Sequence, residues 1–324
     1  ATVVLVYLAA HALSEKRLAA MLAAVIFTLM PLFWAQATLA EVYTLHLFFV
    51  AFILWALLRA GERRSEPVAR WSLPVIALGF SLTHHRMTLF LLPAVIVFIL
   101  WHDPRLLRQA RAWPPLFLRF AGPLLLYLYL PLRGMVITSL DGTYRNTWTG
   151  FWGWVTASGY NVFLTGNPFG VHYTARFYVD LFLDQFQWSG LALVLLGIFF
   201  ALRWPKRWLL LILALVANLA FALAYRTADV EVFFLPAFLI LCLFVAAGIA
   251  GLQTVPTRFI HAPWRPVVFV LLSIACLAGP FLGARADFPR LDRSQAWQVH
   301  DYGLDMLHQP EEGGTVVGLL GEMT

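Results

Sequence analysis

Hydrophobic residues in this chain neither alternate nor recur at a helical spacing over a polar background; they form long continuous runs. Such runs occupy 1–13, 18–34, 42–60, 71–84, 87–102, 115–132, 187–203, 207–225, 230–252 and 266–284, with short charged breaks between most of them. A helix that crosses the hydrocarbon of a bilayer needs about 20 apolar residues. The pattern therefore predicts an all-α polytopic membrane protein with about ten transmembrane helices, the first incomplete and the fourth and fifth short. One connection does not fit the rhythm: 133–187 is far longer than the loops of under about 12 residues that normally join helices. Within it Trp148, Phe151, Trp152 and Trp154 alternate with small residues. Further on, Phe177, Leu181 and Phe182 oppose Arg176, Asp180 and Asp184. Both segments read as helices lying in the membrane interface, joined by a turn at Gly166-Asn167-Pro168-Phe169-Gly170. The tryptophans also suit a plain aromatic belt.

Composition sharpens this reading. Of 324 residues, 61% are hydrophobic and 12% charged, against about 25% charged in a soluble domain. Cys242 and Cys276 lie inside apolar runs, which argues against a disulfide framework. The net charge of +6 calls for no nucleic-acid partner, because its distribution matters more than its sum. Lys16 and Arg17, then Arg59, Arg63, Arg64 and Arg70, then Arg105, Arg108 and Arg111, then Arg203, Lys206 and Arg207, and last Arg258 and Arg265, fall on every second connection. By the positive-inside rule these are cytoplasmic. The other connections, 33–41, 83–86, 133–187, 225–231 and the tail from 285, then share the extracytoplasmic face, and the expected location is a bacterial plasma membrane. Transmembrane residues 1–285 are expected to precede a soluble extracytoplasmic region, 286–324. There Trp297, Tyr302, Leu304 and Leu307 interleave with Asp292, Arg293, Asp301 and Asp305, and 313–320 reads as the start of a strand. The opening apolar segment without an initiator Met reads as the interior of a longer protein.

Chemistry-bearing residues gather on the predicted extracytoplasmic face. Glu41 stands at the start of a spanning run, where a carboxylate left in hydrocarbon costs several kcal/mol; it is either an interfacial residue beside Phe33, Trp34 and Tyr43 or a functional acid at a cavity mouth. His84 and His85 are adjacent, so on a helix they would point about 100° apart and make a poor metal pair. With Arg86 they suit a phosphate-binding turn, unless Arg86 only snorkels to the interface. Arg226, Asp229 and Glu231 precede an apolar run, where the acids are either an ordinary helix cap or ligands for substrate hydroxyls or a metal. Tyr127-Leu128-Tyr129-Leu130-Pro131-Leu132-Arg133 delivers one more arginine. Arg86, Arg133 and Arg226 put positive charge where topology does not require it, which suits an anionic lipid headgroup.

At these residues the sequence resembles a known family. Phe33-Trp34-Ala35-Gln36 leading to Ala40-Glu41-Val42-Tyr43, Leu78-Gly79-Phe80-Ser81-Leu82-Thr83-His84-His85-Arg86, the Tyr127–Arg133 block and Asp229-Val230-Glu231-Val232-Phe233-Phe234-Leu235-Pro236 look like the conserved blocks of a bacterial membrane family of unassigned function. That family is similar to the eukaryotic transmembrane O-mannosyltransferases that modify plexin-type receptor domains. The resemblance implies a GT-C superfold glycosyltransferase, inverting, that moves a mannose-like sugar from a polyprenyl-phosphate donor to a protein or glycan hydroxyl. It implies that the principal catalytic acid precedes Ala1 and gives Glu41 the second acidic position, supporting the acceptor or a divalent metal. Gln36, Tyr43, His84, His85, Arg86, Arg133, Arg226, Asp229 and Glu231 are then the candidate substrate-binding residues. The rival readings are a transporter or lipid flippase, which would place ionisable groups near the bilayer midplane with internal repeats, and a noncatalytic scaffold.

Overall fold

The computed structural model describes residues 1–137, 143–254 and 264–308. All ten apolar runs are helical. In order, α1 is Thr2–Ser14, α2 Arg17–Thr28, α3 Pro31–Ala37, α4 Tyr43–Glu62, α5 Pro67–His84, α6 Leu92–His102, α7 Trp113–Leu124, α8 Tyr129–Gly134, α9 Trp148–Val155, α10 Val162–Thr165, α11 Ala175–Ala201, α12 Pro205–Ala224, α13 Leu235–Thr254, α14 Arg265–Leu291 and α15 Gln298–His308. Among the described residues six helices are long and apolar enough to cross a membrane, and the chain is an all-α integral membrane protein. The predicted strand at 313–320 lies outside the described residues. The chain divides into two units, Ala1–Ala286 and Asp287–Thr324. The second holds α15 and an Arg290–Asp287 ion pair at 2.9 Å.

Proline sets many of the starts. It stands in the first turn of α3, α5, α6, α7 and α12, where its missing N–H would have no helical partner anyway. Pro31 also breaks the run at 18–34, so that α2 and α3 meet at 68°. Phe33, Trp34 and Gln36 therefore sit on a separate short helix rather than at the end of a span. Leu32 N–H at its start donates to Gln185 Oε1 at 3.0 Å.

The centre of the first unit is α13. It is apolar on every side and nearly all buried, as a helix without a polar face must be, and α1, α2, α4, α11 and α12 pack around it. Its closest neighbour is α11, because glycines let the two backbones touch. A Cβ at Gly197 would stand 1.8 Å from the Phe244 carbonyl oxygen, and one at Gly248 2.4 Å from that of Leu193. Small residues at such crossings allow the dispersion contacts that hold helices together in lipid. The predicted helix around 173–186 exists as the first part of α11. It is separated from the apolar second part by Gln187, whose φ of 53° lies in the left-handed region.

The described connections of the first unit gather in two groups, one of them bearing the basic residues. At the arginine-bearing end, Arg70 donates to the Ala60 and Gly61 carbonyls, both at 2.7 Å, and pairs with Asp103 at 3.2 Å. Asp103 also accepts from Trp71 Nε1 at 2.7 Å. Arg207 reaches the Leu13 carbonyl at 2.9 Å, Glu15 at 3.1 Å and Glu62 at 3.0 Å. These arginines thus bind terminal carbonyls of α1 and α4 and place positive charge at the negative ends of both helices.

Candidate functional site

The opposite end is held by side-chain bonds between connections. His84 closes α5, and its Nε2 is 2.9 Å from the Val42 carbonyl oxygen just before α4. His85 follows with extended backbone, so the two imidazoles diverge and their ring centres are 6.3 Å apart. His85 stacks instead on His46, one turn into α4, at 4.6 Å and 29° between planes. Burial, with His84 and Arg86 nearby, holds the His85 pKa down to about 4. It is thus a neutral ring at physiological pH, and its Nδ1 accepts from Met87 N–H at 3.3 Å. His46 is buried with neither ring nitrogen hydrogen-bonded.

Arg86 opens the 3-10 turn Arg86–Leu91. Its Nε donates to the Val155 carbonyl at 3.3 Å and its Nη2 to that of Trp154. It therefore neither snorkels freely nor is wholly reserved for a ligand: one edge of the guanidinium caps α9, the helix expected in the long connection. That helix begins with Thr147, whose Oγ1 accepts from Gly150 N–H at 3.1 Å. The Asn167 turn forms as expected, with its side chain donating to the Val171 carbonyl at 2.9 Å and accepting from Val171 N–H at 3.0 Å. Two residues close the long connection against 225–231. Arg226 N–H donates to the Phe163 carbonyl at 2.9 Å, and the single Tyr173 Oη–H is shared between the Thr227 and Ala228 carbonyls, at 2.9 and 2.8 Å.

Beneath this roof lies a cavity of about 450 Å³, within the size range of small-molecule sites. Tyr43, His84, His85 and Arg86 line one side; Thr156, Tyr160 and Asn161, from the segment after α9, line another; Phe90, Phe221, Tyr225 and Phe233 supply an aromatic wall. Tyr43 is the hub. Its ring lies 6.0 Å from His85 and 5.9 Å from Phe233, and the carboxylates of Asp229 and Glu41 lie within electrostatic reach of its hydroxyl. Burial, then Tyr160 and Asp229, push the Tyr225 phenol up to about 12.

Of the sequence-predicted residues, Tyr43, His84, His85 and Arg86 line the cavity, while Glu41 and Asp229 flank it through Tyr43. Glu41 precedes α4 and is solvent-exposed. Arg226 adjoins the lining residue Tyr225, and its own side chain is exposed. Asp229 makes no capping bond to the following turn Val230–Phe234 and accepts instead from Thr227 Oγ1 at 2.8 Å, which removes the simple cap reading. Glu231 lies in that turn, half-buried. Gln36 is buried in α3 with Oε1 unpartnered, and Arg133 is exposed at the end of α8; neither lines the cavity. Among the described residues no three His, Cys, Asp or Glu side chains converge as a metal site. The stacked His46 and His85 rings cannot aim two nitrogens at one ion.

The segment from α1 to the turn after α6 is similar to a known family. Residues 6–108 match the family model described as the protein O-mannosyl-transferase TMEM260 N-terminal domain. This stretch contains two of the four blocks read from the sequence, with Glu41, Tyr43 and the Thr83–Arg86 turn. The similarity to eukaryotic O-mannosyltransferases is thus found over about the first third of the chain. No curated protein and no solved structure matches the chain.

Cavity residues that sequence reading missed include Phe90, Thr156, Tyr160, Asn161, Phe221 and Tyr225. The signal for two of them was present: Tyr160-Asn161 is a polar pair inside the one connection too long to be a mere link.

Proposed function

We propose that this chain is the membrane portion of a GT-C-type glycosyltransferase that moves a mannose-like sugar from a polyprenyl-phosphate donor to an acceptor hydroxyl on the extracytoplasmic side. One observation carries the reading. The cavity brings the Thr83–Arg86 turn, Tyr43 and the aromatic roof into one hollow beside Glu41 and Asp229, at the end away from the basic connections. In the proposed reaction the acceptor oxygen attacks the anomeric carbon while the bond from that carbon to the phosphate oxygen breaks. The polyprenyl phosphate leaves with the electron pair, and the acceptor proton passes to a carboxylate. Arg86, whose Nη1 makes no bond to α9, is placed to stabilise the departing phosphate. The neutral His85 ring and the tyrosines orient the sugar, and Glu41 and Asp229 bind or activate the hydroxyl.

The test is transfer of label from a polyprenyl-phosphate sugar by membranes containing the full-length protein. Glu41→Gln should cut transfer while the protein still accumulates and folds. Undiminished transfer would remove Glu41 from the site, and no transfer to any acceptor from mannosyl or glucosyl donors would overturn the reading.

A further inference from the structure

A second hollow shares no lining residue with the cavity and runs along α5, α6 and α7 towards the arginine-bearing end. Leu78 of α5, Val95, Ile96 and Ile99 of α6 and Leu116 and Phe117 of α7 wall a groove of about 270 Å³ that is almost wholly apolar. It is smaller than the roughly 300–1,000 Å³ of sites that engulf a whole ligand; it fits a length of hydrocarbon chain. The groove ends at Leu106 and Trp113, tied by a 2.9 Å bond from Trp113 Nε1 to the Leu106 carbonyl.

The turns that carry this end, Pro104–Leu107 and Ala110–Ala112, present Arg105, Arg108 and Arg111, all exposed and, among the described residues, in no ion pair. The nearest acid in sequence, Asp103, is already engaged by Arg70 and Trp71, and 104–134 contains no Asp or Glu. Elsewhere at this end Arg70 and Arg207 are spent on carbonyls and carboxylates, and the exposed Arg63 and Arg64 stand between Glu62 and Glu66 in sequence, whereas these three guanidiniums have no carboxylate in their own segment and adjoin an apolar slot.

We infer that the α5–α6–α7 groove and the arginines at its mouth form a binding site for an anionic phospholipid, one acyl chain lying in the groove and the phosphate on Arg105, Arg108 and Arg111. The site takes a lipid from the leaflet at the arginine-bearing end, so it is distinct from any donor in the cavity and does not depend on the proposed reaction.

The experiment is native mass spectrometry of the delipidated full-length protein after re-addition of equal phosphatidylglycerol and phosphatidylcholine. Phosphatidylglycerol should be retained in preference. The R105Q/R108Q/R111Q variant should lose that preference by about a hundredfold, at about fivefold per surface arginine. Ile96→Trp fills the groove from a side chain that is 53% exposed, so folding is spared; it should weaken retention although every arginine remains. Retained preference in the arginine variant would overturn the proposal. So would unchanged retention in Ile96→Trp, since the charge would then act only as a diffuse surface field. If the triple variant does not fold, the Ile96→Trp result decides alone.

Discussion

Arg70 and Arg86 sit at opposite ends of α5 and begin from the same device: each turns one edge of its guanidinium to the terminal carbonyls of a helix, α4 for Arg70 and α9 for Arg86. They differ in what completes the charge. Arg70 has Asp103 at 3.2 Å and lies against the Trp71 ring at 4.8 Å, so its cation is neutralised and packed. Arg86 pairs with no carboxylate among the described residues and borders a cavity. A cation with its anion in place is structural; one that caps a helix and faces a hollow without an anion has charge left for a ligand. In sequence Arg70 reads as a cytoplasmic arginine and Arg86 as part of a phosphate-binding turn; the geometry adds what each is bonded to.

The comparison can be broken where its effect is largest. Asp103→Ala leaves Arg70 unpaired and the Trp71 indole N–H without its acceptor. It should cost about 1–3 kcal/mol, the usual penalty for leaving a buried donor without its acceptor, and be read as a clear fall in thermal unfolding temperature. A stability loss no greater than that of Arg86→Ala would undo the contrast. Arg86→Ala should instead strike function, lowering sugar transfer about 10²-fold or more as loss of a charge-stabilising donor does. It should also speed amide exchange at 148–157. Arg86→Lys keeps the charge but not the fork, so it should restore phosphate affinity better than it restores protection of α9.

A smaller effect concerns pH. Because the folded pKa of His85 is depressed to about 4 from about 6.5 unfolded, the unfolded chain binds the extra proton between these values. Stability should therefore be full above about pH 6.5 and fall as pH drops towards 4, by at most about 1.4 kcal/mol per unit from this group. His85→Gln should flatten that part of the profile, and an unchanged slope would place the titration elsewhere. Least of all, Tyr43→Phe should cost transfer about tenfold with little change in stability, the hub ring being kept and only its hydroxyl lost.

Much of this was legible in the chain because lipid imposes a simple rule: long apolar runs become helices. The sidedness of the arginine clusters likewise foretold which connections meet. What the runs could not show is where a helix bends without losing hydrophobicity. Pro31 divides one expected span, whereas the break in α11 at Gln187 falls where the expected interfacial helix gives way to the apolar run 187–203. The site was half legible. Glu41, Tyr43 and the Thr83–Arg86 turn stood out as polar groups in greasy surroundings. Tyr225 and Phe221 did not, since an aromatic at a helix end looks the same whether it faces lipid or a cavity. Arg133 does not line the cavity, and charge at an interface is cheap and needs no site to justify it.

The burial of α13 on every side bears on how the molecule is made. Its partners α1, α2 and α4 are synthesised some two hundred residues earlier, which at about 5–20 residues per second is a delay of roughly ten to forty seconds. During that interval the first helices have no central neighbour. Their inward faces must be shielded by lipid or by an insertion partner until the late helix arrives, so assembly of this bundle is completed from its middle.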